Sequence, residues 1–472
     1  MTEKRSPLHT PLSRRQFLRF AGMAAGATLL AACSPATPDT TDPVDDPVDQ
    51  PEAPVASEQV TISWWNAFST PTCQEVFPQV IEAFETKYPN IKVEFEISGG
   101  PPGGGEYTEV LLARIAAGNP PETATIWSPP SQYGARGALT AMDAMMEGAE
   151  LARPDQFYES VMKSCEWQGK TYGLPASAGA GCIFYNTTAF EERGISTKRE
   201  DFPTTWREIK ELSDELTVWE GDELKTAGFV PWTSGWLNPV WAQLNGGQFF
   251  DSGELKYKID SDVNIEWLEY WLSYLDDQYQ GDVERFNLFG QFGDVYPESA
   301  FAMGINTIDQ SGSWACTDVE LPFEWEIAKL PVGPNGTVSK TGYWPNWFVM
   351  PKGCPHPEEA FLLCEHFCTE GWVIWYKHVM DTPAWRGFPD GVITEKLSQV
   401  VGEVRAHDMH EFFAEYLNDA AEMWTSPIED FANDTFASSV DEIMHKAKTP
   451  AVALAEAQAL CQSRLDETLR QL

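Results

Sequence analysis

From residue 60 onward, short runs rich in β-branched and aromatic residues alternate with longer segments whose apolar residues recur at helical spacing, and this alternation constrains the fold most. Val60 to Trp65 reads as a strand. Phe77 to Tyr88 places Phe77, Val80, Ile81, Phe84 and Tyr88 on one helix face, and Ile91 to Ile97 alternates as a second strand. Strand, helix and strand in that order predict parallel pairing, because parallel strands need a long crossover that a helix supplies. Gly99 to Gly105 reads as a loop, Tyr107 to Ala117 as a helix stopping at Gly118-Asn119-Pro120-Pro121, and Thr123 to Trp127 as a third strand. The alternation continues through Gly173 to Asn186, helices at Trp206 to Leu216 and Trp267 to Leu275, strands near Asn306 to Asp309 and Phe348 to Met350, and a closing helix over Ala451 to Leu472. The expected class is α/β. At roughly 150 residues per domain, 472 residues make two or three domains.

The segment before residue 60 reads as an address and a spacer. Ser13-Arg14-Arg15-Gln16-Phe17-Leu18 is a twin-arginine pattern, followed by the uncharged run Phe20 to Ala32. That run is shorter than the roughly 20 residues a helix needs to cross a bilayer. Leu30-Ala31-Ala32-Cys33 is similar to the lipobox of bacterial lipoproteins, so residues 1–32 are expected to be a cleaved export signal and Cys33 the lipidated residue. Attachment to a membrane would then come from lipid on Cys33. Residues 33–59 read as a tether: Ser34 to Gln59 carries six Pro, seven Asp or Glu and no Lys or Arg, a composition that cannot bury a core. The expected location is extracytoplasmic, on the periplasmic or cell-surface side.

Charge narrows the partners. Against 32 Lys and Arg stand 71 Asp and Glu, a formal net charge of -39, and a surface that negative repels phosphate backbones. Nucleic acid is excluded as an expected partner. Cys73, Cys165, Cys182, Cys316, Cys354, Cys364, Cys368 and Cys461 remain after Cys33, and the sequence does not choose among their possible pairings. Cys354, His356, Cys364, His366 and Cys368 have metal-ligand residue types but lack the C-x2-C knuckle of structural zinc sites, so no metal is expected. No cofactor motif is present either. The 19 Trp, 14 Tyr and 26 Phe are abundant for a chain of this class, and rings outside the core need a flat apolar ligand.

Taken in order, several short motifs carry a family likeness. Ile62-Ser63-Trp64-Trp65-Asn66, Glu82-Ala83-Phe84-Glu85, Tyr88-Pro89-Asn90-Ile91-Lys92-Val93, Ala116-Ala117-Gly118-Asn119-Pro120-Pro121 and Gly169-Lys170-Thr171-Tyr172-Gly173-Leu174-Pro175 are followed by Phe184-Tyr185-Asn186, Pro203-Thr204-Thr205-Trp206, Asn245-Gly246-Gly247, Ser311-Gly312-Ser313-Trp314 and the Pro351 to Phe367 stretch. This order resembles the extracellular solute-binding proteins of carbohydrate ABC importers, with Glu122 standing where that family usually has Asp. The resemblance implies a two-lobed, periplasmic-binding-protein-like α/β fold of type II, with a ligand cleft between lobes joined by three crossovers. Matching motifs place the crossovers near Ala176 to Gly181, Thr341 to Asn346 and Asp381 to Arg386. Lobe 1 would be 60–177 plus 343–382, and lobe 2 would be 178–342 plus 383–472. Implied partners are a carbohydrate and the permease subunits of an importer, with the protein itself a monomer.

A sugar offers apolar C–H faces and hydroxyl edges, so its site needs flat rings and planar polar groups. Ligands of open α/β sheets sit beyond the carboxyl ends of strands, and pockets favour domain interfaces. Trp64, Trp65, Asn66, Trp127 and Gln132 are therefore expected in lobe 1, with Tyr343, Trp344 and Asn346 near the second crossover. The resemblance puts stacking rings at Trp236 and Trp314 in lobe 2, with Trp232, Asp309 and Arg386 as further candidates. Trp267, Trp271, Trp372 and Trp375 lie at helical spacing and are assigned to the core.

Two rivals follow from the same residues. A secreted glycosidase would also stack rings, but its carboxylate pair has no sequence spacing to identify it. The chain shows no H-E-x-x-H at His410-Glu411, no phosphate loop after Gly99 to Gly105 and no G-x-S-x-G elbow. No catalytic role is expected. The other rival keeps the fold and changes the ligand to a polyamine, a glycerophosphodiester or an iron chelate.

Overall fold

The computed structural model describes residues 59–472 except 68–69, 98–104, 288–290, 319, 343–344 and 423–424. The expectations for the export signal, Cys33, the tether, Tyr343 and Trp344 lie outside the described residues. The first sheet joins β1 (Val60–Asn66), β2 (Ile91–Ile97), β3 (Thr123–Ile126), β4 (Leu174–Pro175) and a later strand, Trp347–Val349, in the order β2-β1-β3-(347–349)-β4. β1 runs parallel to β2 and β3, as the strand, helix, strand pattern requires. The crossover helix α1 (Pro71–Lys87) starts where Thr70 accepts the Cys73 N–H and Pro71 fixes the first turn, and it buries Cys73, Val76, Phe77, Val80 and Phe84. Next, α2 (Gly105–Ala116) ends before Gly118, whose φ of +72° suits glycine. After β3 comes the short α3 (Pro130–Ala135).

The second sheet joins β5 (Gly181–Asn186), β6 (Val218–Glu220), β7 (Glu223–Phe229), β8 (Asn306–Gly312) and β9 (Trp325–Ala328) in the order β9-β5-β8-β7-β6. β7 and β8 are parallel, and the remaining pairs are antiparallel. Within this part of the chain, α4 (Trp206–Leu216) opens on a capping box of Thr205 and Glu208, then come α5 (Asn238–Leu244) and α6 (Asp262–Asp277). The chain returns to the first sheet as β10 (Trp347–Val349), antiparallel to β3 and β4, and covers it with α7 (Pro357–Cys368) and α8 (Glu370–Tyr376). α9 (Glu395–Val401) and α10 (Glu403–Tyr416) follow. α11 (Glu429–Met444) and α12 (Pro450–Leu469) pack with α6 in the core of the second sheet.

Three stretches of chain run side by side between the sheets. Ala176 N–H donates to Asn346 O at 2.7 Å, Ala178 N–H to Thr382 O at 2.6 Å and Gly181 N–H to Gly342 O at 2.6 Å. These backbone bonds, with Thr341 Oγ1 donating to the Gly181 carbonyl and Asn346 Nδ2 to Asp381, tie 176–181 to Thr341, Gly342 and Asn346 and to 381–384, a crossing of chain segments of the kind about which lobes turn.

Several expectations resolve into core. Trp267, Trp271, Trp372 and Trp375 are buried, as assigned. Trp64 and Trp65 are corrected: both are buried, because helices cover both faces of the parallel part of the first sheet and the alternation of β1 leaves neither ring facing solvent. Trp64 packs among Phe77, Phe95, Phe348 and Phe367, and Trp65 against Tyr107 with the Arg114 guanidinium 4.9 Å above its ring. The eight described cysteines are free and buried. His356 meets Glu122 (Nδ1 to Oε1, 3.2 Å) while His366 meets the Val80 carbonyl, so these two members of the Cys/His cluster turn to different partners.

Candidate functional site

Both sheets end their parallel strands in loops that carry the remaining candidates. In the first, β3 runs into half-buried Trp127 and then into α3 with Gln132 and Tyr133. In the second, β7 leads to the loop with Trp232 and Trp236, and β8 to Ser313 and Trp314.

Trp236 and Trp314 form a pair, ring centroids 5.3 Å apart at 43°, both only partly buried. Glycine makes the pair possible: a Cβ on Gly312 would lie 2.2 Å from the Trp314 ring, and one on Gly181 3.2 Å from that of Trp236. Trp314 packs at the edge of one hydrophobic cluster and Trp236 at the edge of the other. Two adjoining indoles with accessible area give an apolar platform of the kind that takes the C–H face of a flat ligand.

A second feature joins the two sheets' helices. Asp430, in the first turn of α11, accepts from Gln132 Nε2 at 3.0 Å and from the Tyr133 hydroxyl at 3.1 Å, and its own N–H donates to Gln132 Oε1 at 3.4 Å. Burial, with the Asp430 carboxylate beside it, pushes the Tyr133 phenol up, so it stays a donor. Gln132 was expected to face ligand; in this state both ends of its amide are taken by Asp430.

The other candidates separate. Asn66 is buried and its Oδ1 accepts from Thr125 Oγ1, which removes it from the wall. Trp232 leans edge-on to Tyr279 and Phe286. Asn346 clips the hinge, donating from Nδ2 to Ser177 Oγ at 3.2 Å and Asp381 Oδ2 at 3.0 Å. Asp309 lies inside β8, fully buried, accepting from Asn306 Nδ2 and the Gln310 N–H; burial pushes its carboxyl up to about 8, and the nearby Asp294 adds to the rise. It is corrected from a ligand contact to a buried support, because both faces of β8 are covered and every residue of the strand is buried. Arg386 is exposed and lines a separate cavity of about 160 Å³ with Tyr158, Trp385, Asp390 and His410. A larger groove of about 910 Å³ lies between α4, α6 and residues 332–337, where Lys210 pairs with Asp277 and Glu266 with Asn245.

Tyr133, Asp294 and Asp430 are site-region residues that reading the sequence missed. Acids in a first helical turn, as at Glu429-Asp430, ordinarily complement the helix dipole and signal nothing more.

Two α/β lobes joined by a three-stranded hinge, with rings at strand ends, define the class of two-lobed solute-binding proteins. Residues 69–368 match the bacterial extracellular solute-binding protein family, and the chain belongs to it. It is 23% identical over 306 residues to an ABC transporter extracellular-binding protein of Pyrococcus horikoshii, covering 63% of this chain and 66% of that protein. It is 28% identical over 166 residues to the xylose/arabinose-binding protein XacG of Haloferax volcanii, 35% of each. The chain thus spans less than two thirds of the length of these relatives. Among solved structures it is similar to an ABC substrate-binding protein of Listeria monocytogenes in complex with cycloalternan (TM-score 0.70, 20% identity, 87% of this chain and 99% of that one). It is also similar to the cyclic α-maltosyl-1,6-maltose binding protein of Arthrobacter globiformis (TM-score 0.67, 18% identity, 87% and 100%). These likenesses establish the two-lobed fold. No described helix is long and apolar enough to cross a membrane.

Proposed function

We propose that the protein is a non-catalytic receptor that captures a sugar or oligosaccharide between its lobes, 60–177 plus 343–382 and 178–342 plus 383–472, and delivers it to the permease of an ABC importer. The observation that carries this reading is the partly exposed Trp236–Trp314 pair at the carboxyl ends of parallel strands. Trp127 is the candidate ring on the facing wall. The carbohydrates held by the structurally similar proteins support the ligand class. Binding sites that stack rings against pyranose faces need no reactive group, in keeping with a monomeric carrier that releases its ligand unchanged.

Closure follows from the two-lobed arrangement. A ligand touching both walls binds the closed state better, so it shifts the population toward closure by that difference. Lipid on Cys33 and the acidic tether would keep the carrier near the permease while leaving the lobes free to move.

The test is calorimetry and thermal shift of residues 60–472 against mono- and oligosaccharides, with spermidine, glycerophosphocholine and ferric citrate as controls. A ligand at a hundred times its dissociation constant stabilises by about 2.7 kcal/mol. A sugar response without turnover is the expected result. A response to a control compound alone, or hydrolysis of the sugar, overturns the reading. In cells, Cys33→Ser is expected to release the protein from membranes with its binding intact; full retention in the membrane fraction overturns the anchor.

A further inference from the structure

β8 departs from the usual chemistry of a central strand. It sits between β5 and β7 with every residue buried, yet reads Asn306-Thr307-Ile308-Asp309-Gln310-Ser311-Gly312. A strand in that place is ordinarily apolar, and buried polar groups are tolerated only when hydrogen-bonded. The bonds of this strand run outward to α5 and to the two loops beside the indole platform. Gln310 accepts from Trp241 Nε1 and donates to Pro231 O, both at 2.9 Å, and Ser234 Oγ donates to the Gln310 carbonyl. Ser311 Oγ donates to Asp294, whose own N–H donates to Ser234 Oγ at 3.1 Å.

The loop carrying Asp294 is clasped to the loop carrying Trp236. Gly293, at φ +93°, lies so close that a Cβ would stand 2.4 Å from the Thr233 carbonyl oxygen. Asp294 itself holds φ +66°, the left-handed region that side chains other than Gly, Asn and Asp avoid. Its carboxyl is buried, accepts the Val295 N–H at 2.9 Å and lies beside the Trp236 indole, whose Nε1–H is buried without an aligned hydrogen bond.

We infer that Asp294 is a positioning residue, the acceptor that fixes the Trp236 indole against Trp314 when ligand is held. The inference rests on the carbohydrate reading above for its ligand. Titratable groups facing Asp294 are Asp309 of β8, Cys182 of β5 and Tyr296 of its own loop, none of them a cation. Burial raises the Asp294 carboxyl and pushes that of Asp309 up to about 8, so around neutral pH Asp309 holds its proton. Above pH 8 the second charge develops, and like-charge repulsion pulls the acceptor from the ring.

The experiment measures dissociation constants by calorimetry for the best binder among maltotriose, mannotriose and xylose, with tryptophan fluorescence and melting curves, on wild type, Asp294→Ala and Asp294→Asn. Asp294→Ala is expected to weaken binding at least tenfold and red-shift the emission. Asp294→Asn keeps an acceptor oxygen and is expected to stay within threefold of wild type. Wild-type affinity is expected to fall several-fold from pH 7 to 9, and the Asn variant to stay flat. Wild-type affinity in the Ala variant, or an Asn variant as weak as the Ala one, overturns the inference. Should the Ala variant not fold, the Asn variant decides: a pH profile as steep as wild type overturns it. Should wild type bind none of the three sugars, the carbohydrate reading is what fails, and emission in the unliganded proteins decides on Asp294: a red shift in the Ala variant that the Asn variant reverses supports it, and unchanged emission overturns it.

Discussion

At the scale of single residues, burial separates tryptophans that hold the fold together from those available to a ligand. Trp267 is fully buried against Trp271 and Phe436, whereas Trp314 is partly exposed and rests on Gly312 and Trp236. Trp267→Ala is expected to lose about 3 to 5 kcal/mol of folding stability. Trp314→Ala is expected to lose about 1 to 3 kcal/mol of sugar affinity, a range taken from base stacking on aromatic side chains, with a much smaller change in stability. Calorimetry and urea titration on both variants check this; normal affinity with collapsed stability for Trp314→Ala would return that ring to the core. Asp309 allows a pH prediction. Its folded pKa of about 8 lies above the ordinary 3.8, so between those values the folded state holds a proton that the unfolded chain releases, and stability falls as pH rises through the window. Asp309→Asn is expected to flatten the decline in melting temperature between pH 5 and 8. A variant whose melting curve tracks wild type across that range would show the carboxyl to be ionised throughout.

At the scale of elements, a short helix of one lobe meets the first turn of a long helix of the other. α3 offers an amide and a phenol, and Asp430 of α11 accepts both. Hydrogen bonds to a charged acceptor contribute about 1.5 to 3 kcal/mol, enough to bias a hinge whose states differ by a few kcal/mol. Asp430→Ala is therefore expected to raise the open fraction of the unliganded protein, seen as a larger radius of gyration by small-angle scattering, and to speed ligand release in stopped flow. Unchanged scattering and release would leave the contact without a part in closure. The elements themselves were largely legible: β1, β2, β3, α4 and the closing helix fall within a few residues of their sequence expectations, because hydrophobic period and capping residues are local, while α1 starts six residues before the expected Phe77, at Pro71. Trp64 and Trp65 were misplaced because a strand's end is visible in sequence while the helices covering its two faces are not.

At the scale of the whole molecule, charge is the governing term. A formal net charge of -39 opposes compaction by self-repulsion, and many ion pairs among the described residues are solvent-exposed and therefore weak. Screening should remove more repulsion than attraction. The melting temperature is expected to rise by a few degrees between low salt and 0.5 M sodium chloride, where the Debye length shrinks to a few ångströms. A fall over that range would mean that the ion pairs, not the net charge, dominate.

Sequence alone determined the α/β class and the order of strands and helices, because these depend on periodicity within short segments, and the order of short motifs along the chain carried the family resemblance. Tertiary structure alone decided which rings are buried and which keep accessible area, that Asp430 reaches Gln132 across 298 positions of chain, and that a strand as polar as β8 lies at the centre of a sheet. Burial and hydrogen bonding are properties of what surrounds a side chain, and those surroundings come from distant segments that no local pattern records.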